Sequence, residues 1–239
     1  RRNLLTMKSV TSAVRALCLD TAVSLDLSRS KEENMKKFHS SRAAFLIPIA
    51  KAFSTEMGCE LADIAIQVHG GMGYIEETGV AQVYRDVRVT AIYEGTNGIQ
   101  AMDLVGRKLL DKGKVAFKIL DEINQTVKQA MSHAHSDIIE MGQKLDYNSK
   151  IFSNSLDWML SRKSTDDRYA GSMPFLRAIG YLLGGHYLLK ASISSPDDEW
   201  RALSKFYVYN LLERAAMNSR IACSGPESLY DFDKKMFGS

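Results

Sequence analysis

The sequence predicts an all-α protein whose helices pack as up-and-down bundles in two successive units. Apolar residues recur at three- and four-residue intervals over most of the chain, as on one face of an amphipathic helix. Proline occurs four times in 239 residues, whereas residues of high helix propensity are plentiful. Residues 88–93 have a strand-like composition, but a lone strand would have no partner, so we interpret them as loop or short helix.

The first unit, residues 1–112, is predicted to open with two long helices separated by a polar loop at 28–34. The second helix is expected to end at Gly70-Gly71, since paired glycines suit a left-handed cap. Pro48 is expected to kink it or to mark its first turns. The apolar stripe of the first helix is predicted to consist of Met7, Val10, Val14, Cys18, Ala22 and Leu25.

The next helix of this unit is expected to begin at Thr96 or Asn97, because either side chain can cap it. A boundary follows at residues 111–114, where charged residues flank a glycine. The second unit, residues 113–239, is predicted to hold further helices at about 136–163, 172–193 and 198–223, with breaks at 164–167, 195–196 and 225–226. Within it His186 is expected to be a core histidine, and Gly184-Gly185 to permit close helix contact.

Composition and charge argue against several classes of function. The net charge of +3 is small and the basic residues are dispersed, which speaks against a nucleic-acid partner. The cysteines are three in number and widely spaced, so a disulfide or zinc framework is not expected and a reducing, intracellular compartment is favoured. His133 and His135 have no further ligands at metal spacing. No run of about 18 apolar residues predicts a membrane span.

Glu94 is the first candidate for chemistry. It stands between Ile92-Tyr93 and Gly95, just before a predicted helix start. Apolar neighbours would desolvate the carboxylate and raise its pKa toward the range of a general base, whereas the helix N-terminus favours the anion. The residues alone leave a second interpretation open, that of a surface carboxylate interacting with the helix end.

A glycine-rich segment, Gly70-Gly71-Met72-Gly73, is the second candidate. It has neither the Rossmann pattern nor that of a phosphate-binding P-loop. One interpretation is a helix stop followed by a turn. The other is bare backbone that a pyrophosphate can approach, with Gln67 supplying a polar amide. His69 is expected to make a structural hydrogen bond, and Arg85 either an ion pair or a phosphate contact.

The residues also carry a resemblance to a known family. Residues 1–110 resemble the C-terminal helical domain of acyl-CoA dehydrogenases, through 65–74 (AIQVHGGMGY), 83–86 (VYRD) and 92–100 (IYEGTNGIQ) in that order. The tail beyond residue 112 is similar to the extra helical domain of the longer bacterial members. The resemblance implies flavoenzymes that desaturate acyl-CoA thioesters, which are oxidoreductases.

By this resemblance Glu94 removes the α-proton of the acyl-CoA while a β-hydride passes to the flavin. The thioester oxygen is held by a flavin hydroxyl and by the backbone N–H of Glu94. Tyr93, Glu94 and Gly95 are then expected to contact the substrate. The residues expected to bind FAD are Gln67, Gly70, Gly71, Thr96 and Asn97. Of these, Gln67 and Gly71 would face the FAD of a neighbouring subunit. Glycine at position 98 removes a side-chain contact that family members often have.

The resemblance further implies a homo-oligomer (dimer or tetramer), an electron-transferring flavoprotein as acceptor and a bacterial cytoplasmic location. It predicts that the chain is a fragment without the first helix of its domain and without the preceding domains. An exposed apolar groove is then expected, and the isolated chain should bind FAD weakly or not at all and should not turn over substrate.

Three alternatives remain at this stage. In the first, residues 113–239 form a non-catalytic helical module for oligomerisation or assembly. A family relative with other flavin chemistry, such as nitroalkane oxidation, is disfavoured because Glu94 is not aspartate. A DNA-binding relative is disfavoured by the mild charge. The acyl group, fatty acyl or 3-methylthiopropanoyl, stays open.

Overall fold

The computed structural model describes residues 1–195 and 197–231, and over these residues the chain is helical and contains no strand. A 3-10 turn covers Glu76–Thr78, and a π-helical segment, Leu104–Lys108, continues α5. The helices are α1 Arg2–Leu27, α2 Glu33–His69, α3 Gly71–Tyr74, α4 Val80–Thr90, α5 Asn97–Asp103, α6 Lys114–Met131, α7 Ser136–Ser161, α8 Thr165–Ala170, α9 Ser172–Ser194, α10 Asp198–Asn210, α11 Glu213–Ala222 and α12 Glu227–Tyr230. The predicted all-α class is confirmed.

Helix α9 lies at the centre of the fold. It is apolar on nearly every side, as expected of a helix surrounded by others, and it packs against α1, α2, α5, α6, α7, α10 and α11. Glycines bring it close to its neighbours. A Cβ at Gly180 would lie 2.4 Å from the Phe53 ring of α2, and one at Gly184 would lie 2.2 Å from the Tyr207 hydroxyl of α10. The close contact expected at Gly184 is therefore present.

One hydrophobic core runs through both halves of the chain. It extends from Val10 of α1 through Phe53 of α2 and Phe175 of α9 to Ala222 of α11. Burial of this shared apolar surface is the main force that holds the halves together. The division into units at 1–112 and 113–239 stays a prediction.

A polar network also joins the halves around Arg42 of α2, whose side chain is 8% exposed. Its guanidinium donates two hydrogen bonds to Asp20 of α1, at 3.0 and 2.9 Å, and two to Glu122 of α6, at 3.3 and 2.7 Å. Tyr187 of α9 donates to the same Asp20 carboxylate at 2.6 Å. Because the guanidinium fork matches both carboxylates, it satisfies each of them and ties four helices at one point.

The buried face of α1 differs from the predicted stripe. Cys18, Ala22 and Leu25 are exposed, whereas Leu17 and Thr21 are buried. The reason is that hydroxyl side chains occupy interior positions and bond to their own helix, as Thr21 Oγ1 does to the Leu17 carbonyl at 2.8 Å. A pattern of apolar residues does not include such positions, because their side chains are polar. Apolar side chains are exposed on α1 at Leu4, Leu5, Leu19, Val23 and Leu25.

The helix predicted at 198–223 is two helices, and this prediction was wrong. The break falls at Leu211 and Leu212, whose N–H groups both donate to the Tyr207 carbonyl, at 2.8 and 3.1 Å. Both leucines are buried, at 4% and 0% exposure. Adjacent side chains of a continuous helix point about 100° apart, so the break lets both reach the core.

Three smaller boundaries also differ from the prediction or extend it. Pro48 lies buried in the interior of α2 and does not mark its first turns. The break expected at 164–167 already contains the start of the short helix α8, which Ser164 caps by accepting a hydrogen bond from the Asp166 N–H at 3.2 Å. The predicted break at 195–196 falls partly outside the described residues.

No helix in the described ranges is long and apolar enough to cross a bilayer.

His186 is buried in the core, as predicted, and its Nδ1 has no hydrogen-bond partner within the described chain. Burial lowers the pKa of His186 to about 4. Below about pH 6.5 the His186 imidazole is therefore protonated in the unfolded chain but stays neutral in the folded chain. The free energy of unfolding is expected to fall as the pH drops from about 6.5 to about 4, by up to about 1.4 kcal/mol per pH unit from this residue.

The test is urea unfolding of wild type and His186→Leu at pH 7.5, 6 and 5. The leucine variant is expected to lose less stability over this range than wild type. Equal losses in both proteins would show that His186 does not govern the acid sensitivity.

Candidate active site

Glu94 lies on the turn between α4 and α5, and the turn has an unusual backbone. Glu94 has φ of 54° and Gly95 has φ of 82°, two left-handed residues in succession. A non-glycine residue in this region costs about 1–3 kcal/mol and persists only where its surroundings enforce it. Strain of this kind is concentrated at functional sites, which makes the turn a candidate site.

Three hydrogen bonds hold the turn in place. Lys51 Nζ of α2 donates to the Gly95 carbonyl at 2.7 Å. Gln100 Nε2 of α5 donates to the Glu94 carbonyl at 3.0 Å, and the Asn97 N–H donates to the Ala91 carbonyl at 3.2 Å. The backbone on both sides of the Glu94 side chain is thus fixed from two helices.

The Glu94 side chain is exposed in the described chain, so the partial burial expected from its neighbours is not found. The reason is that the left-handed turn projects outward, and Ile92 and Tyr93 are also exposed, at 53% and 54%. Neither the carboxylate nor the N–H of Glu94 has a hydrogen-bond partner in residues 1–195 and 197–231. Both groups are therefore free to bind a ligand.

Thr96 and Asn97 have different roles at the start of α5. Thr96 is the N-cap, and its Oγ1 accepts from the Ile99 N–H at 3.4 Å, as predicted for one of the two residues. Asn97 is buried and turned toward α2. Its Oδ1 accepts from Lys51 at 2.9 Å, and its Nδ2 donates to the Ala52 carbonyl at 3.1 Å. A cofactor contact by either residue stays a prediction, and at Asn97 both the side chain and the backbone N–H already have partners in the described chain.

The glycine-rich segment follows α2 and exposes its backbone. Gly70 has φ of 62°, and a Cβ at Gly70 or Gly71 would meet nothing within 4 Å. Gln67, one turn earlier, is exposed as well. Gly73 differs, because a Cβ there would lie 2.6 Å from the Ile66 carbonyl, so it is needed for packing. The open backbone at Gly70 and Gly71 fits the approach of a phosphate-bearing group such as that of FAD.

Two side chains near this segment make structural contacts. His69 Nδ1 is hydrogen-bonded to the Ala65 carbonyl at 2.8 Å, as expected. Arg85 pairs with Glu76 through two bonds, at 2.8 and 2.7 Å, which confirms an ion pair and identifies its partner. No cluster of three or more metal-ligating side chains occurs within the described ranges.

A cleft of about 700 Å³ lies beside the start of α5, with Thr96, Asn97 and Gly98 in its lining. Two ion pairs span it from α2. Glu56 binds Arg177 of α9 at 2.9 and 2.7 Å. Glu60 binds Arg214 of α11 at 2.9 and 3.2 Å. Sequence reasoning missed these pairs because their members are far apart in the chain.

Both halves of the chain match acyl-CoA dehydrogenase families. Residues 1–110 match the family described as acyl-CoA dehydrogenase, C-terminal domain. Residues 119–233 match the family described as acetyl-CoA dehydrogenase C-terminal like. The chain belongs to the acyl-CoA dehydrogenase family. The resemblance inferred from the three sequence motifs is therefore confirmed.

A bacterial acyl-CoA dehydrogenase is among the curated relatives. The 3-methylmercaptopropionyl-CoA dehydrogenase of Ruegeria pomeroyi is 42% identical over 191 residues, which are 79% of this chain and 32% of that enzyme. The chain spans about a third of the length of the curated relatives it matches.

Solved acyl-CoA dehydrogenase structures share the fold at low sequence identity. Caenorhabditis elegans ACDH-11, in complex with C11-CoA, has a TM-score of 0.74 at 18% identity, over 97% of this chain and 40% of the other. The Bacillus anthracis acyl-CoA dehydrogenase complexed with FAD has a TM-score of 0.66 at 16% identity, over 98% and 43%. These likenesses support the fold across nearly the whole chain.

Proposed function

We propose that this chain carries the general base of an FAD-dependent acyl-CoA dehydrogenase, and that Glu94 removes the α-proton of an acyl-CoA thioester. The observation that carries the proposal is the strained turn that presents Glu94 with both its carboxylate and its N–H unpartnered in the described chain. Membership of the acyl-CoA dehydrogenase family gives that arrangement a chemical purpose.

The chemistry makes two demands on this turn. An α-proton beside a thioester is weakly acidic, so a base must lie within hydrogen-bond reach of it. Loss of the proton develops negative charge on the thioester oxygen, and a fixed donor that faces this oxygen stabilises the charge. The Glu94 carboxylate meets the first demand and its N–H meets the second. Tyr93 and Gly95, on either side, are then the residues that contact the acyl group.

FAD, when bound, supplies the acceptor for the β-hydride. The residues proposed to hold it are the exposed amide of Gln67, the open backbone at Gly70 and Gly71, and the turn at Thr96 and Asn97. The Bacillus anthracis relative, solved with FAD, supports a flavin in this fold. By the family resemblance, Gln67 and Gly71 face the FAD of a neighbouring subunit. The proposal therefore includes a homo-oligomer.

The substrate is proposed to be an acyl-CoA. Two relatives indicate different acyl groups, and the choice between them stays open. The Ruegeria pomeroyi enzyme is named for 3-methylmercaptopropionyl-CoA, and the Caenorhabditis elegans structure holds C11-CoA. An electron-transferring flavoprotein as acceptor and a cytoplasmic location belong to the same proposal.

The proposal is tested by mixing the FAD-loaded complete gene product with acyl-CoA under anaerobic conditions. Short, medium and long straight chains and 3-methylthiopropanoyl-CoA form the panel. We expect the visible flavin absorbance to bleach with at least one acyl-CoA and the matching enoyl-CoA to appear. Absence of both signals with every acyl-CoA, in a protein that has bound FAD, would contradict the proposal.

A further inference from the structure

Lys51 follows Ile49 and precedes Ala52 and Phe53 in α2. These three side chains are buried at 0–1% exposure, whereas the Lys51 side chain is only partly buried. Residues one or two positions apart on a helix point in different directions, so the Lys51 ammonium group is directed away from these core side chains. The partners of Lys51 lie 44 and 46 residues later in the chain, on the turn that carries Glu94.

The ammonium group makes two short hydrogen bonds to that turn. Nζ donates to the Gly95 carbonyl at 2.7 Å and to Asn97 Oδ1 at 2.9 Å, distances typical of charge-assisted bonds. The Gly95 carbonyl belongs to the peptide unit next to that of Glu94. Lys51 therefore holds the left-handed pair Glu94-Gly95 through the Gly95 carbonyl. Gln100 holds the same pair through the Glu94 carbonyl.

A second set of bonds fixes Asn97 to the same helix. Its Nδ2 donates to the Ala52 carbonyl at 3.1 Å, and its Oδ1 accepts from Thr55 Oγ1 at 3.1 Å as well as from Lys51. Three residues of α2, Lys51, Ala52 and Thr55, thus form hydrogen bonds with the residues that follow Glu94. The pKa of Lys51 is lowered, because the burial of its ammonium group outweighs the attraction of the nearby Glu94 carboxylate.

We infer that Lys51 is a positioning residue for Glu94, which fixes the strained turn and thereby the place of the carboxylate relative to the substrate α-carbon. The inference rests on the proposed role of Glu94 as base. In the described chain Lys51 donates to the turn and makes no hydrogen bond to the Glu94 carboxylate. Without its bonds the left-handed turn can relax, and a shift of about 1 Å in a catalytic group costs up to about 10²-fold in rate.

The test compares Lys51→Met with Lys51→Arg in the FAD-loaded complete gene product. Methionine keeps the length and apolar stem but loses the donors and the charge. Arginine keeps a positive charge and N–H donors in a longer, planar head group, so it is expected to restore part of the function. Lys150→Met is a matched control, since the Lys150 ammonium also makes a short bond, at 2.6 Å to Asp146, but lies on α7.

We expect Lys51→Met to lower kcat by about 10- to 100-fold with KM changed by less than about threefold, and Lys51→Arg to recover part of the loss. FAD content and the thermal midpoint should stay near those of Lys150→Met, which excludes a loss of folding as the cause. Wild-type kcat in Lys51→Met would overturn the inference, as would failure of Lys51→Arg to recover more activity than methionine.

Glu94→Gln, measured in the same assay, separates this inference from the proposed function. If Glu94→Gln is inactive while Lys51→Met keeps wild-type kcat, the role of Lys51 fails and the base assignment stands. If Glu94→Gln keeps wild-type turnover, the base assignment fails and the inference fails with it.

Discussion

Glu94→Gln is expected to lower acyl-CoA turnover by about 10²- to 10⁴-fold while FAD binding and folding are retained. Glutamine has nearly the shape of glutamate and keeps the backbone N–H, so the turn and the proposed oxyanion contact survive. What is lost is the proton acceptor. Because Glu94 is exposed and makes no side-chain bond in the described chain, its replacement should leave thermal unfolding unchanged.

Two further variants make this result specific. Glu94→Asp keeps a carboxylate but withdraws it by one methylene, so turnover between that of wild type and of Glu94→Gln is expected. Glu77→Gln removes another exposed carboxylate from the same half of the chain and should leave turnover unchanged. Equal activity of Glu94→Gln and Glu77→Gln would refute a catalytic role for Glu94.

Gly180→Ala is expected to lower the free energy of unfolding by about 1–3 kcal/mol, a typical cost of overpacking a dense core. The added Cβ would lie 2.4 Å from two atoms of the Phe53 ring, and Phe53 is 1% exposed. An aromatic ring in a filled core has no room to retreat, so α9 must move away from α2. This contact joins the two halves of the chain, and the variant therefore tests whether they share one core.

Gly98→Ala is the control for this prediction, because its Cβ would meet only Thr96 Oγ1, at 4.0 Å. Urea unfolding should show Gly98→Ala as stable as wild type or slightly more so, since alanine favours helix over glycine. Combining Gly180→Ala with Phe53→Leu should cost less than the sum of the two single changes, because each relieves the other. Strict additivity, or a silent Gly180→Ala, would contradict the packing described for α9.

The local features of the fold were predictable from sequence. Apolar periodicity identifies helices, the paired glycines after His69 mark the end of α2, and Thr96 carries a side chain suited to capping α5. The buried face of α1 was not predictable in this way, because Thr21 satisfies its hydroxyl within its own helix and enters the core. The break at Leu211 was hidden as well, since it depends on a core supplied by other helices.

The candidate site shows the same division. Glu94 and the glycines at 70–71 stand out by local chemistry, and the family resemblance gave them roles. Lys51 and Gln100 were missed, because their importance lies in contacts that a linear sequence does not display. One signal was present for Lys51: a single charged residue within the apolar run that ends in Phe53. The outward projection of Glu94 depends on the left-handed backbone, which the apolar residues Ile92 and Tyr93 gave no reason to expect.

The most direct test of the account follows α-proton exchange alone, without turnover. An acyl-CoA that has α-hydrogens but no β-hydrogens, such as 3,3-dimethylbutanoyl-CoA, can lose an α-proton to the base but cannot transfer a hydride. Incubated in D₂O with the FAD-loaded complete gene product and followed by NMR, it should exchange α-hydrogen for deuterium with wild type and at background rate with Glu94→Gln. Exchange by Glu94→Gln at the wild-type rate would contradict the assignment of Glu94 as the base.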